Sequence, residues 1–340
     1  MKIGFELLQE LVNIDSTTGQ EAAYLTWLED FFGRLGWTVR RQPVAEGRWN
    51  LWVSRVASPP ITFCTHVDTV PPFIPATGRD GALYGRGACD TKGVLLAMVE
   101  AVMGLPSEIA DQCGFVWVVG EEVDHIGAVV AGRDPLWRPD WMVMGEPTRN
   151  RLATGQRGIL KIALCTSGQA GHSAFEEAGH SALDPMLDIL AALRAPGWPT
   201  DPLLGATRFN TGILRAGVAA NVYAPEATAE LLFRAVSDPD DLLAEVTRRV
   251  AGRGEVKLLA SNPPVLLHHW SDLPTDVVPF NTDAPYMCHL CPVTLVGPGD
   301  IRTAHSEHEH LLRSDYEAGV LLYRQLVERW LSGSRPVSGS

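Results

Sequence analysis

No apolar run in this sequence approaches the ~20 residues that a membrane-crossing helix needs. The opening stretch MKIGFELLQELVNID carries Glu6 and Glu10 inside its apolar pattern, which is not the make-up of a secretory signal. Positive charge is in deficit: 28 Lys and Arg stand against 40 Asp and Glu, a formal charge of -12. That balance excludes the broad basic surface by which proteins hold nucleic acid or anionic membrane. The expectation is a soluble, cytoplasmic protein with neither partner. An anionic substrate would have to be met by local arginines or a metal. Cysteine is sparse, six in all, and Cys64, Cys113 and Cys165 sit in apolar runs like buried free thiols of a reducing compartment. Cys288 and Cys291 form a lone CxxC without a second pair, read as core positions rather than a zinc ribbon or redox site. Neither HExxH nor HxxEH occurs among the C-terminal histidines, which argues against a mononuclear zinc site carried on one helix. Internal repeats are also missing.

What is present is enough apolar material, 46%, for sizeable cores, in a chain of 340 residues that is long for one. Helical spacing predicts helices over residues 5–12, 20–35 and 94–103, with strands at 50–55, 61–65, 114–119 and 141–144 and a Pro- and Gly-rich loop over 71–87. This alternation predicts an α/β fold with a mixed, largely parallel sheet covered on both faces. From about residue 156 the rhythm becomes strand, helix, strand, strand, helix, strand (159–166, 182–193, 207–214, 223–235, 240–250, 255–259), a ferredoxin-like α+β unit. A strand over 293–296 and a helix over 315–331 then resume the first pattern. The domain expectation is therefore a discontinuous metal-binding domain, 1–155 and 263–333, an inserted lid or dimerisation domain, 156–262, and a flexible tail, 334–340.

Within ITFCTHVDT, strand periodicity puts His66 and Asp68 on one face while Val67 turns to the core. A histidine beside a carboxylate is a metal-ligand arrangement, because the imidazole needs one nitrogen free and the other held. Asp90, Glu121, Glu122, Glu146 and His305 lie just beyond predicted strands or in loops, and the carboxyl ends of strands in an open α/β sheet are where sites assemble. Two histidines with carboxylates and no thiolate suit zinc first, then cobalt or manganese. Taken singly, each residue also has a structural reading: Asp90 as a helix N-cap, Glu121 and Glu122 as a solvated pair, Glu146 as a turn before Pro147.

Six motifs in order, THVDTVP, YGRGACDTKG, GEE, GEPT, GQAGHSA and GPG with AHSEHE, give the chain its resemblance to a family. It resembles the dinuclear-zinc amidohydrolases and exopeptidases that include acetylornithine deacetylase, succinyl-diaminopimelate desuccinylase, aminoacylase and bacterial glutamate carboxypeptidase. The resemblance implies that Asp90 bridges two metals, that His66 and Glu146 complete one site, and that Glu122 and His305 complete the other. It implies Asp68 as the residue orienting His66, and Glu121 as the general base, kept off the metals to move a proton from water to the leaving nitrogen. It further implies that His172, in GQAGHSA, reaches across a homodimer interface to stabilise the oxyanion. Asn221 and Arg234, in ANVYAPEATAELLFR, match lid positions that contact substrate, and an arginine fork suits a carboxylate.

Two departures stand out. Where relatives carry a Gly-rich turn before Thr-Asp-Ala, this chain has Pro279, Phe280 and Asn281; and Cys89 adjoins Asp90, where a nucleophilic role is not expected of a buried thiol. Resembling deacylases and carboxypeptidases carry Glu at the position of Glu146 and several aminopeptidases carry Asp, so the resemblance implies a substrate with a free α-carboxylate: a small N-acyl amino acid of the acetylornithine or acetyl-lysine kind, with a dipeptidase or carboxypeptidase as the alternative. A catalytically retired metal-binding protein is the third reading, opposed by the intact set of acids.

Overall fold

Two short amphipathic helices open the chain in the computed structural model, which describes residues 3–338. They are α1 (Leu8–Val12) and α2 (Ala22–Arg34), which buries Tyr24, Leu25, Leu28, Phe31 and Phe32 on one stripe. The strands β1 (Thr38–Ala45), β2 (Arg48–Ser54) and β3 (Ile61–His66) follow, then helix α3 (Lys92–Met103), β4 (Cys113–Val118), helix α4 (Ile126–Arg133) and β5 (Trp141–Met144). Next come β6 (Gly158–Ser167), α5 (Leu183–Arg194), β7 (Arg208–Ala216), β8 (Glu226–Ala235), α6 (Pro239–Val250) and β9 (Glu255–Asn262). The chain closes with β10 (Val293–Leu295) and the long helix α7 (Arg313–Leu331). Two compact units result: Met1–Thr154, Leu266–Asp276 and Thr282–Ser340 form the first, Gly155–Val265 and Val277–Asn281 the second. The departing segment 279–281 thus groups with the insertion, where Arg157 N–H donates to the Val278 carbonyl at 3.2 Å, rather than with the flanking sequence in which it was expected.

In the first unit a six-stranded sheet runs in the order β1-β2-β4-β3-β5-β10. The pairs β1/β2 and β2/β4 are antiparallel, and β4/β3, β3/β5 and β5/β10 are parallel. Every residue of β3, β4 and β5 is buried, as expected where helices cover both faces. Helix α3 is apolar on nearly all sides and buried from Lys92 to Val99. Trimming Leu95 to alanine there should cost about 2–5 kcal/mol. Lys92 is 2% exposed, and its ammonium donates to the carbonyls of Leu11 at 3.1 Å and Ile14 at 2.5 Å. It therefore ties the start of α3 to the end of α1, while burial lowers its pKa to about 7.

Three elements depart from the expected pattern. Strand β1 escapes an apolar reading because, as an edge strand with Arg40, Arg41 and Pro43, it is largely exposed. Helix α4 is short and interrupted by Gly127 and Gly132. The stretch 71–87 is not all loop: Thr77–Arg79 and Ala82–Tyr84 form a hairpin turning on Asp80 and Gly81, both at positive φ (53° and 73°) as a tight primed turn requires, and His310–Leu312 pairs with its second strand. The expected flexible tail is held as far as Ser338, with Val337–Ser338 pairing with His268–His269 and the Arg335 guanidinium 4.0 Å from the Trp330 ring centre. Residues 339 and 340 lie outside the described residues.

The second unit is a four-stranded antiparallel sheet, β7-β8-β6-β9, with a core built from Leu160, Ile162, Leu164, Ile189, Leu193, Phe233, Leu242 and Val246. Strand β8 alternates buried and half-exposed positions, so this sheet buries one face against α5 and α6. Among the described residues, no helix is long and apolar enough to cross a membrane.

Candidate metal centre

Parallel pairing makes β4, β3, β5 and β10 end at one edge of the first unit's sheet, and the residues just beyond those ends are chemically dense. His66 is the last residue of β3. Glu121 and Glu122 follow β4, Glu146 follows β5, and the loop after β10 carries His305. Asp90 sits at the entry to α3, where the Thr91 hydroxyl donates to the His66 carbonyl at 2.7 Å and so fastens this loop to the end of β3.

The Asp90 carboxylate is shared. Its Oδ1 lies 3.1 Å from His66 Nε2 and its Oδ2 lies 3.4 Å from His305 Nε2, so each oxygen faces a different imidazole. His305 Nε2 is also 3.0 Å from Glu122 Oε2. His66, Asp90 and Glu122 each offer a ligand atom within 4.8 Å of the others. Of the three late histidines, His305 is the one that meets these carboxylates; His310 Nδ1 instead lies 2.8 Å from the His308 carbonyl, with its ring stacked on Tyr84.

Asp68 works differently from the expectation. His66 Nδ1 lies 2.9 Å from the Asp68 backbone oxygen, which can only accept, whereas the Asp68 carboxylate is farther, at 3.6 Å. The carbonyl therefore fixes the proton on Nδ1 and leaves Nε2 available as a ligand. The carboxylate accepts from the Thr18 hydroxyl at 2.8 Å and from the backbone N–H groups of Glu121 and Glu122 at 3.1 and 3.2 Å. Asp68 thus seats both the histidine and the loop of the paired acids.

Three further residues hold the site. Glu309, buried, receives the N–H groups of Gly87, Cys89 and Asp90 at 2.9, 3.2 and 3.1 Å on one oxygen, and pairs through the other with Arg86 at 2.6 Å. Beside Glu121, whose Oε1 lies 3.7 Å from His125 Nδ1, the buried His125 and Asp283 meet at 2.9 Å. Neither Glu309 nor the His125–Asp283 pair was singled out from sequence. Only AHSEHE and Thr-Asp-Ala marked their neighbourhoods, and pairing across 158 to 222 residues leaves no local spacing to find.

The electrostatics call for positive charge. Burial drives up the proton affinity of Glu146 and Glu121, and of Glu122 with help from the Asp90 carboxylate. Asp90 moves the other way: burial opposes its charge, but the adjacent His305 and His66 rings outweigh it and keep its carboxyl below the usual range. Burial likewise disfavours protonated His66, yet Asp68 and Asp90 raise its proton affinity well above the ordinary value. Close carboxylates with two imidazoles and no thiolate form an N and O donor set that fits borderline divalent cations. Cys89 adds no nucleophile: it is fully buried, and burial drives its thiol well above the ordinary range.

The remaining residues singled out from sequence lie in the second unit. His172 is exposed, bridges to Val222 and accepts from Ala174 N–H at 3.2 Å, and Ser173 N–H donates to the Asn221 carbonyl at 3.1 Å. These two residues are neighbours. Arg234 is not with them: it lies at the opposite end of β8, paired with Arg208 and Ile159. Eight residue steps of about 3.3 Å each separate it from Glu226.

Comparison with known proteins places this geometry. Residues 62–329 match the model described as Peptidase family M20/M25/M40. A peptidase M20 domain-containing protein of Schizosaccharomyces pombe is 32% identical over 94% of this chain and 83% of its own length. A probable carboxypeptidase of Aspergillus clavatus is 32% identical over 96% of this chain and 82% of its own. Among solved structures, a tripeptidase from Staphylococcus aureus superposes with a TM-score of 0.78 at 22% identity, covering 95% of this chain and 97% of that one. Match, fold and donor set agree: the chain belongs to peptidase family M20/M25/M40 and is a metal-dependent hydrolase of peptide or amide bonds.

Proposed function

We propose that the protein hydrolyses the amide of a small N-acyl amino acid, releasing the acyl carboxylate and a free amino acid. The observation that carries this reading is the division of labour among the acids. Asp90 offers one oxygen to each histidine and Glu122 joins them, while Glu121, adjacent in sequence, belongs to a separate cluster with His125 and Asp283, one that could also hold an ion and is read here as seating the base. Two divalent ions, zinc first with cobalt or manganese as substitutes, would be held by His66, Asp90 and Glu146 on one side and by Asp90, Glu122 and His305 on the other. When bound they polarise the scissile carbonyl and acidify water.

The chain's own groups do the rest. Glu121 takes a proton from the attacking water as its oxygen bonds to the carbonyl carbon, and returns the proton to the nitrogen as the C–N bond breaks. His172 donates to the oxyanion, from a second copy in a cytoplasmic homodimer, with its neighbour Asn221 meeting the substrate beside it, while Arg234, remote from both along β8, meets the α-carboxylate from the other copy. A carboxypeptidase-type exopeptidase is the second reading, favoured by the similarity to the probable carboxypeptidase of Aspergillus clavatus. Its amine product is also an amino acid with a free carboxylate.

The test is a substrate panel on protein loaded with zinc or cobalt: acetyl and succinyl amino acids, dipeptides and blocked peptides. Turnover of acyl amino acids above peptides is expected. The reverse order selects the exopeptidase, and no turnover with two metals bound overturns both readings.

A further inference from the structure

Glu121 and Glu122 pose a problem of selection: two identical side chains stand side by side, both backbone N–H groups are gripped by Asp68, and only one belongs among the ligands. The loop that follows offers an answer. The Gly120 carbonyl accepts from the N–H of Asp124 at 3.1 Å and of His125 at 2.7 Å, curling the chain back on itself. Gly120 sits at φ +80°, and a Cβ there would lie 2.8 Å from Asp124 Oδ1 and 2.9 Å from Ile126 Cγ2. His125 ends the turn at φ +55°, a region that asparagine or glycine fills more easily, and its ring is thereby delivered beside Glu121.

That ring is 8% exposed. Its Nδ1 lies 2.9 Å from Asp283 Oδ1 and 3.7 Å from Glu121 Oε1. Asp283, 3% exposed, comes from the segment after the second unit, and the Tyr286 ring stands 5.3 Å from the imidazole. Two pieces of chain, the turn after Glu121 and the remote segment 283–286, thus meet beside Glu121. We propose that His125, held by Asp283, is a positioning residue that keeps the Glu121 carboxylate out of the metal-ligand set and available as proton acceptor. This rests on the amidohydrolase reading above. The Nδ1–H is donated to Asp283, and the imidazole edge 3.7 Å from Glu121 offers that carboxylate a charge that competes with the cations, whereas Glu122 is turned toward His305. Burial works against a charged imidazole, but Asp283 and Glu121 more than offset it and raise its pKa to about 9, so the partner offered to Glu121 is cationic near neutrality.

The experiment uses the full-length protein reconstituted with cobalt(II). In H125A two metals remain, KM stays within about threefold of wild type, and kcat falls about 10- to 100-fold, the scale of a slightly misplaced catalytic group. The cobalt ligand-field absorption shifts as Glu121 swings inward, whereas H125A/E121Q keeps the spectrum of E121Q and loses no further rate. D283N, which keeps a neutral acceptor for the ring, lies between wild type and H125A and replaces H125A as the test if that variant misfolds. Equal rate losses for the histidine change in wild-type and E121Q backgrounds, or an unmoved cobalt spectrum, overturn the proposal. An inactive wild type with two metals bound overturns the amidohydrolase reading instead, and the cobalt spectra still decide the role of His125.

Discussion

The two histidines that share Asp90 sit in opposite settings. The His66 side chain is 1% exposed, terminates a strand buried along its whole length, and has both ring nitrogens engaged. The His305 side chain is 51% exposed, occupies a loop at φ +62°, and reaches carboxylates with Nε2 alone. One half of the cluster is an extension of the core, and the other is a loop brought up to it. A buried ligand is fixed whether or not a cation is present, whereas an exposed one is held largely by what it binds. The halves should therefore differ in how they lose metal.

The largest effect should come from removing what the halves share. D90A deprives both imidazoles of their common carboxylate; metal analysis should find less than one equivalent, and activity should fall on the order of 10³-fold or more. Two retained equivalents would mean that Asp90 bridges nothing. Next comes the contrast itself. H66A should lower the stability of the metal-free protein by about 1–3 kcal/mol, because a buried ring with partners on both nitrogens is lost. H305A should change it by no more than about 0.5 kcal/mol while releasing one metal equivalent. Equal melting shifts for the two variants would dissolve the distinction.

A smaller effect is expected of E309Q. Its amide either turns an N–H₂ toward the three backbone donors of the Asp90 loop or gives up its charge toward Arg86, so calorimetric titration should show metal affinity reduced about 10- to 100-fold. Unchanged affinity would make Glu309 a fold residue only. The smallest effect is a pH dependence of the metal-free protein. His125 holds its proton more tightly in the folded chain, at about 9, than at its ordinary 6.5, because Asp283 and Glu121 outweigh burial and the opposing charge of His66. That contribution to stability is complete below pH 6.5 and lost as pH rises through 9. The melting gap between wild type and H125A should accordingly be widest below pH 6.5 and narrow above 9. A pH-independent gap would assign the ring to packing.

Which parts of this were legible in the sequence follows from how far each signal reaches. The buried strand β5 is a continuous apolar run and β3 one broken only by threonines, and a polar residue at or just past the end of such a run, His66 or Glu146, announces itself. The edge strand β1, half polar, and the short α4 carry no clean period. The hairpin at 77–84 did have a signal, Asp80-Gly81, hidden in a stretch taken as loop. Glu309, His125 and Asp283 were illegible for another reason: each acts through a partner far along the chain, and a lone buried acid or histidine has no periodicity. Asp68 shows the same limit in miniature, since the spacing that puts it beside His66 says nothing of whether its carbonyl or its carboxylate does the holding.

Glu309 also bears on the order in which the protein comes into being. The carboxylate that gathers the N–H groups of Gly87, Cys89 and Asp90 is encoded about 220 residues after them, four positions past His305. Contacts of such separation form late, since the intervening chain must first be ordered. A chain still emerging from the ribosome carries His66, Asp90, Glu121, Glu122 and Glu146 well before it carries the group that sets the Asp90 loop. With the ligand set proposed above, capture of the second cation waits for residue 305, and a fragment ending before it would have the acids of a hydrolase without the means to become one.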